Sequence, residues 1–243
     1  NEVFDKIILT RLAGETEAGI YGACYKLGVF MTLFATAYRM GVEPFFFREA
    51  KKENKEKQYA EVTYFFVALA SVIYLGVMVF LQPIAKILLR DEIYREGLII
   101  VPFVLLGALF LGVYHNLSVW YKITDKTYVG AVISGLGALI TLGLNSYLIP
   151  QIGYIAAAIA TLAAYGAMML ISFLWGRKSY PIPYKVIPML GYLTLSVTLS
   201  LTHFFFFTTS LWMALLFLLL FSSFVILIER STLKRLLTSY GTR

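Results

Sequence analysis

Long stretches without Asp, Glu, Lys or Arg are the feature that most constrains this chain. Residues 62–85 and 97–121 each form one such stretch, and residues 127–176 and 186–228 form two of about double length. About 20 mostly apolar residues are enough to cross the hydrocarbon core of a bilayer as a helix. Each shorter stretch therefore predicts one membrane-spanning helix, and each longer stretch predicts two.

Polar interruptions divide the two longer stretches. Pro150 and Gly153 mark a turn in the first, and the polar residues 208–210 mark a turn in the second. A further span, less clean because it contains two basic residues, precedes the others. We therefore predict an all-α polytopic transmembrane helix bundle of about seven spans. The predicted spans lie near residues 18–40, 62–82, 97–121, 127–149, 153–176, 186–206 and 209–229.

The first residues are too few for a complete span. Residues 1–13 are predicted to be the end of a preceding transmembrane helix, in addition to the seven spans of the bundle at 14–229. On this interpretation the chain is the C-terminal part of a larger protein, and its partner is an N-terminal helix bundle. A natural short protein with a half-buried first segment is the alternative.

Composition agrees with a membrane location. Charged residues make up 14% of the chain and apolar residues 59%, with a mean hydropathy of +0.76, whereas soluble domains are about a quarter charged. The net charge of +7 would suggest nucleic acid in a soluble protein. In a membrane protein, basic residues in loops are topology signals, so we predict no nucleic-acid partner.

The basic residues of the loops predict an orientation. The loop of residues 83–96, on one side of the membrane, contains Lys86, Arg90 and Arg95. The loops on the opposite side contain many more basic residues. Because Lys and Arg are retained on the cytoplasmic side, residues 230–243 are predicted to be a basic cytoplasmic tail. The basic residues assigned to the cytoplasmic side are Arg48, Lys51, Lys52, Lys55, Lys57, Lys122, Lys126, Arg177, Lys178, Lys185, Arg230, Lys234, Arg235 and Arg243.

Catalytic motifs are absent from the sequence. There are two His and one Cys, and no HExxH, Walker, CxxC or GxSxG pattern. We therefore predict no catalytic residue, no metal site, no cofactor and no enzymatic activity.

Ionisable groups at membrane depth are the main candidate site residues, because they are costly there and usually face a cavity or a partner. Lys26 lies well inside its span and predicts contact with an anionic phosphate or pyrophosphate. The alternative, to which we give equal weight, is that Lys26 forms a structural ion pair with Asp5 or with a residue of another helix. Arg39 is four residues from Glu43 and is expected to pair with it, although Arg39 is also a candidate for the inner mouth of a cavity.

Four further residues are substrate-binding candidates. Asp5 and Lys6 qualify if an upstream helix places them near mid-membrane. His115 and Asn145 are polar residues on otherwise apolar helices. Interhelical hydrogen bonds explain such residues more often than ligand contacts do.

Several segments together resemble a known family. These are residues 18–23 (AGIYGA), 43–48 (EPFFFR), 125–127 (DKT) and 144–150 (LNSYLIP). They resemble the start of the C-terminal half of bacterial polysaccharide and O-antigen flippases, which belong to the multidrug, oligosaccharidyl-lipid and polysaccharide exporter superfamily. The resemblance covers most of residues 5–176, and the last two spans match in hydropathy alone.

This resemblance implies a function. Family members have 12 or 14 helices in two bundles around a central cavity. They move polyprenyl-pyrophosphate-linked oligosaccharide, a precursor of polysaccharide and lipopolysaccharide, to the outer leaflet of the bacterial cytoplasmic membrane by alternating access, without ATP hydrolysis. The implied partners are the lipid-linked oligosaccharide, membrane lipids and an N-terminal bundle, with Lys26 and Arg39 lining the cavity.

Three other functions remain open. A drug or cation antiporter of the same superfamily is expected to have acidic groups in its cavity, whereas the candidates here are mostly basic. A membrane-embedded transferase is expected to carry carboxylates or a His in an outer loop, where Asp91 and Glu92 lie among basic residues. A noncatalytic membrane subunit is the third.

Overall fold

The computed structural model describes residues 2–89 and 91–240, without the side chains of residues 2 and 230–240. Its elements are α-helices and one 3₁₀ helix, and the described residues contain no strand. The α-helices are α1 (Glu2–Leu12), α2 (Glu15–Glu49), α3 (Lys55–Val79), α4 (Leu81–Leu88), α5 (Val101–Leu117), α6 (Val119–Ile123), α7 (Tyr128–Ile152), α8 (Tyr154–Ser179), α9 (Val186–Phe206) and α10 (Leu211–Tyr240). The 3₁₀ helix is Glu92–Ile100 and leads directly into α5.

Seven segments in the described part of the chain are long and apolar enough to cross a membrane. Six of them lie in α2, α3, α7, α8, α9 and α10, and the seventh runs through the 3₁₀ helix, α5 and α6 as Glu92–Ile123. The predicted all-α polytopic bundle of seven spans is confirmed, and the protein is a multi-pass membrane protein. α1, with 11 residues, precedes the first span.

Small residues allow the central helices to approach each other. α5 packs against α2 and α8, and α7 packs against α8. A Cβ atom at Gly107 of α5 would lie 3.4 Å from the Cα atom of Leu162 in α8, so the two backbones are close. Ala156, Ala160 and Ala164 are fully buried on α8. Such small faces are the usual basis of tight helix packing in membranes.

Two helical hairpins meet at one end of the bundle. α1 and α2 are joined at Ala13 and Gly14, and α7 and α8 are joined at Gly153, which has φ of 56°. The Glu17 carboxylate of α2 accepts a 2.9 Å hydrogen bond from the backbone N–H of Tyr154, one of the unpaired donors at the start of α8. A Cβ atom at residue 153 would lie 2.2 Å from Glu17 Oε2. Glycine is therefore required at this contact.

α2 extends beyond the span predicted near 18–40, because it continues through Pro44 to Glu49. Phe46 is buried in this extension, and its carbonyl accepts a 3.0 Å hydrogen bond from the Tyr59 hydroxyl of α3. Tertiary contacts thus hold the helix after its proline.

The last two helices attach to the bundle mainly through α3. The buried Glu229 carboxylate of α10 accepts hydrogen bonds from the hydroxyls of Tyr64 in α3 and Tyr192 in α9, the latter at 3.0 Å. Lys185 Nζ lies 5.1 Å from the centre of the Tyr64 ring. For the predicted tail, residues 230–243, α10 continues to Tyr240, but the tail side chains and residues 241–243 lie outside the described residues.

Candidate functional site

Asp5 is at the centre of a buried polar cluster that joins four helices. Its Oδ1 accepts a 2.7 Å hydrogen bond from Asn145 Nδ2 on α7. Its Oδ2 accepts 3.0 Å hydrogen bonds from the Tyr21 hydroxyl on α2 and the Thr161 hydroxyl on α8. Asp5, Tyr21, Asn145 and Thr161 are all buried, and we call them the Asp5 cluster.

The four residues meet because they lie at one depth in two antiparallel hairpins. Asp5 is seven residues before the end of α1, and Tyr21 is six residues after the start of α2. Asn145 is seven residues before the end of α7, and Thr161 is seven residues after the start of α8. At 1.5 Å per residue, each lies about 10 Å from the connected ends of the helices.

The hydrogen-bond partners of Asp5 among the described residues are all neutral. Within the described part of the chain, no Lys or Arg forms an ion pair with it, so the alternative of a Lys26–Asp5 ion pair is wrong. Both carboxylate oxygens are taken by hydroxyl and amide donors instead. The Asn145 carbonyl oxygen Oδ1 is buried and has no hydrogen-bond partner in the described residues. The cluster therefore combines a carboxylate with an available carbonyl acceptor.

Lys6 and Lys26 line an open cleft beside the Asp5 cluster. The cleft has a volume of about 610 Å³ and lies between α1, the first half of α2 and the segment from Leu88 to Tyr94. Lys6 is partly buried and Lys26 is exposed. Asp91, also exposed, lies in its wall. We call this space the lysine cleft.

Gly22 lets Lys6 lie across α2. A Cβ atom at residue 22 would be 2.7 Å from Lys6 Cε and 3.1 Å from Nζ, whereas a Cβ atom at Gly19 would meet nothing within 4 Å. Both glycines line the cleft. The absence of a side chain at residue 22 thus leaves room for the Lys6 side chain beside α2.

Arg39 and His115 lie together in a second, much smaller space near the other end of α2. This inner pocket has a volume of about 20 Å³, which is room for about one water molecule. Arg39 is 13 residues after Lys26, about 20 Å along the helix. Glu43 lines the same pocket but forms its ion pair with Lys122 of α6. The predicted pairing of Arg39 with Glu43 is wrong, because Lys122 lies closer.

The six predicted site residues thus divide among three places. Asp5 and Asn145 share one cluster, Lys6 and Lys26 share the adjacent cleft, and Arg39 and His115 share the inner pocket. Sequence reasoning did not find Tyr21 or Thr161. Thr161 is a polar residue in an Ala-rich run of α8. Its distance from the turn at Gly153 matches that of Asn145, and this match is the signal by which the sequence could have identified it.

The arrangement favours two kinds of chemistry. Ammonium groups on an open cleft are suited to an anionic group such as a phosphate. A buried carboxylate with neutral donors is suited to exchange a proton or a small monovalent cation, because either would neutralise a charge that is costly inside a membrane. No group of three or more His, Cys, Asp or Glu that could hold a metal ion occurs in the described part of the chain.

A comparison with protein families identifies the family of this chain. The family described as MatE matches residues 2–147, which include α1 to α6 and most of α7. Neither the curated proteins nor the solved structures contain a significant match.

Proposed function

The chain belongs to the MatE family, whose members are membrane transporters of the exporter and flippase type, and from that premise we propose that it is a flippase for an anionic lipid-linked oligosaccharide. The proposed substrate is a polyprenyl-pyrophosphate-linked oligosaccharide for polysaccharide or O-antigen synthesis. The proposed location is the bacterial cytoplasmic membrane, with the C-terminus in the cytoplasm. The chain's role is transport, and it catalyses no reaction.

The lysine cleft is the observation that carries this proposal. It places two ammonium groups on one open space of about 610 Å³, which is within the range of small-ligand sites. Lysine attracts a phosphate as a mobile point charge. A transporter must release its substrate, so attraction by mobile charges suits a carrier better than a rigid bidentate clamp does. The pyrophosphate is the group we assign to Lys6 and Lys26.

Lys26 also supports a cavity on this face of α2. Phe30 and Leu33 are exposed and follow Lys26 by four and seven residues, so all three lie on one face of the helix. A lysine turned toward lipid chains is costly. We propose that this face lines a water-filled cavity that a second, N-terminal helix bundle closes, and that this chain supplies the C-terminal bundle.

The Asp5 cluster is the proposed site at which a proton or cation gradient is coupled to transport. Binding of a proton or a monovalent cation at Asp5 neutralises the carboxylate and weakens or rearranges its three hydrogen bonds, which connect α1 to α2, α7 and α8. Lys6 is the next residue on α1. A change in the packing of α1 therefore moves the Lys6 ammonium relative to Lys26, and this adjacency links cation exchange to binding of the anion.

A drug or cation antiporter is the second candidate, and Asp5 is the observation that favours it, because a carboxylate is what a cationic substrate needs. Asp5 is fully buried and surrounded by protein donors, and the described charged residues that line the open cleft are two lysines and one aspartate. The cleft thus favours an anionic substrate, and the buried carboxylate is better suited to a small coupling cation.

Deletion of the gene distinguishes these functions. We expect lipid-linked oligosaccharide to accumulate on the cytoplasmic leaflet while surface glycan falls, with both restored by the wild-type gene. An unchanged oligosaccharide pool together with new sensitivity to cationic dyes would reject the flippase and support the antiporter.

A further inference from the structure

The seam between α8 and α9 contains an amphiphilic cavity that the transport proposal does not use. α9 packs mainly against α3, which leaves a gap toward α8. The deeper part of the gap has a volume of about 180 Å³ and is lined by apolar side chains of α3, α5, α8 and α9 together with Tyr184, and Leu170 and Leu190 from its walls are exposed. We call this part the apolar gap.

A polar mouth adjoins the apolar gap. It has a volume of about 240 Å³, includes Arg177 at the end of α8, and shares Phe173, Tyr184 and Val186 with the gap. Arg177 is exposed and forms no salt bridge with any described residue. One cavity therefore combines an apolar interior with a guanidinium group at its entrance.

The loop that forms the mouth is held in place. Pro181 and Pro183 restrict the backbone of residues 180–185. The N–H groups of Tyr184 and Val186 donate hydrogen bonds of 2.9 and 3.0 Å to the carbonyls of Ile182 and Tyr184. The Tyr180 hydroxyl donates a hydrogen bond to the Glu56 carboxylate of α3, and Lys185 lies over the Tyr64 ring. The geometry of the mouth is thus fixed by contacts at both ends of the loop.

We propose that this cavity binds an anionic phospholipid, with its phosphate at Arg177 and one acyl chain in the apolar gap. A water-soluble ligand gains nothing from the apolar lining of the gap, whereas an acyl chain matches it. The mouth lies at the surface predicted to be cytoplasmic, where anionic lipids attract basic residues. The bound lipid fills the seam and joins α9 to α8.

The outer end of the same seam provides a contrast. A second gap of about 330 Å³ is lined by Ile155, Leu201, Phe205 and other apolar side chains, and none of the described residues in its wall is charged. The two gaps share their apolar character, but only the apolar gap adjoins a mouth that contains Arg177 among the described residues. A preference for anionic lipid therefore belongs to the inner gap alone.

The test uses the full-length protein purified in detergent, with dioleoylphosphatidylglycerol and dioleoylphosphatidylcholine as probes. Binding is measured by native mass spectrometry, and melting temperature is measured in parallel. We expect the wild type to bind the anionic lipid about tenfold more tightly than the zwitterionic one, since a charge-assisted hydrogen bond to Arg177 contributes on this scale. Arg177→Gln should remove most of that preference, and Leu190→Trp should reduce binding of both lipids by filling the gap.

Matched variants separate this site from general effects. Lys178→Gln removes a neighbouring exposed cation that does not line the cavity, and Leu201→Trp fills the outer gap; both should retain the wild-type preference for the anionic lipid. Equal binding of the two lipids by the wild type would overturn the proposal. An unchanged preference in Arg177→Gln, or unchanged binding in Leu190→Trp, would also overturn it.

Discussion

Asn145 Nδ2 lies 2.7 Å from Asp5 Oδ1, and this hydrogen bond joins two residues 140 positions apart in the sequence. It connects the first helix of the described chain to the last helix of the region that matches the family. Tyr21 and Thr161 complete the coordination from the partner helix in each hairpin. The buried carboxylate is therefore held by both hairpins at once, and a change in its charge acts on both.

Replacement of Asp5 by Asn should reduce transport by about tenfold or more, because the neutral amide cannot exchange a proton or cation. The measurement is restoration of surface glycan in a deletion strain, normalised to the amount of protein in the membrane. Glu53→Gln is the control, because Glu53 is an exposed carboxylate between α2 and α3 that does not line the cleft. Near-normal transport by Asp5→Asn would remove Asp5 from the mechanism.

Charge at Lys26 should determine export in a graded way. Lys26→Ala is expected to impair surface glycan severely, Lys26→Arg to preserve part of it, and Lys26→Glu to abolish it, because the pyrophosphate is then repelled. Lys57→Ala, which removes an exposed lysine at the start of α3, should export normally. Export by Lys26→Glu at the wild-type level would show that the cleft does not bind an anion.

Gly22→Ala should lower the apparent affinity for substrate by a few fold while leaving the fold intact. The added methyl group would lie 2.7 Å from Lys6 Cε, so the flexible side chain must move, and its ammonium group moves with it. Gly19→Ala adds a methyl group to the same cleft without contacting anything within 4 Å. Titration of transport against substrate concentration checks the difference, and equal behaviour of the two variants would argue against a positioned Lys6.

Gly153→Ala should destabilise the protein by about 1–3 kcal/mol, since alanine is strained at positive φ and its Cβ atom would collide with the Glu17 carboxylate. Gly143→Ala in the middle of α7 meets no atom within 4 Å and should be neutral or slightly stabilising. Melting temperatures of the two variants in detergent provide the comparison. A Gly153→Ala variant as stable as the wild type would mean that the hairpins are not held together at this contact.

The sequence was sufficient for the bundle because each span leaves a direct record in hydropathy. The stretches without charged residues are long, and the hydrocarbon core of the bilayer that each must cross has a nearly fixed thickness. The number of spans can therefore be counted from the sequence. Hydropathy does not indicate that α2 continues past Pro44, because this continuation depends on burial of Phe46 and on the hydrogen bond from Tyr59. Local signals alone cannot reveal a helix end that tertiary contacts determine.

The candidate site could be predicted only in part, for a related reason. The free-energy cost of a charged side chain inside a membrane identified Asp5, Lys6 and Lys26 as candidates. This cost does not indicate which residues are their neighbours in the fold. Glu43 was assigned to Arg39 on the same helix, whereas its partner is Lys122, 79 positions away. Tyr21 and Thr161 are neutral, and their burial in a membrane costs little free energy, so their chemistry does not identify them as site residues. Their depth relative to the hairpin turns does.

The central claim is that the lysine cleft carries an anionic lipid-linked oligosaccharide under the control of Asp5. The most direct measurement reconstitutes the full-length protein in proteoliposomes with a labelled polyprenyl-pyrophosphate oligosaccharide and follows its exposure to a membrane-impermeant probe under an imposed proton or sodium gradient. The account predicts gradient-driven movement by the wild type, little movement by Lys26→Glu, and movement by Asp5→Asn that no longer responds to the gradient. Equal movement by all three proteins, or none by the wild type under either gradient, would contradict it.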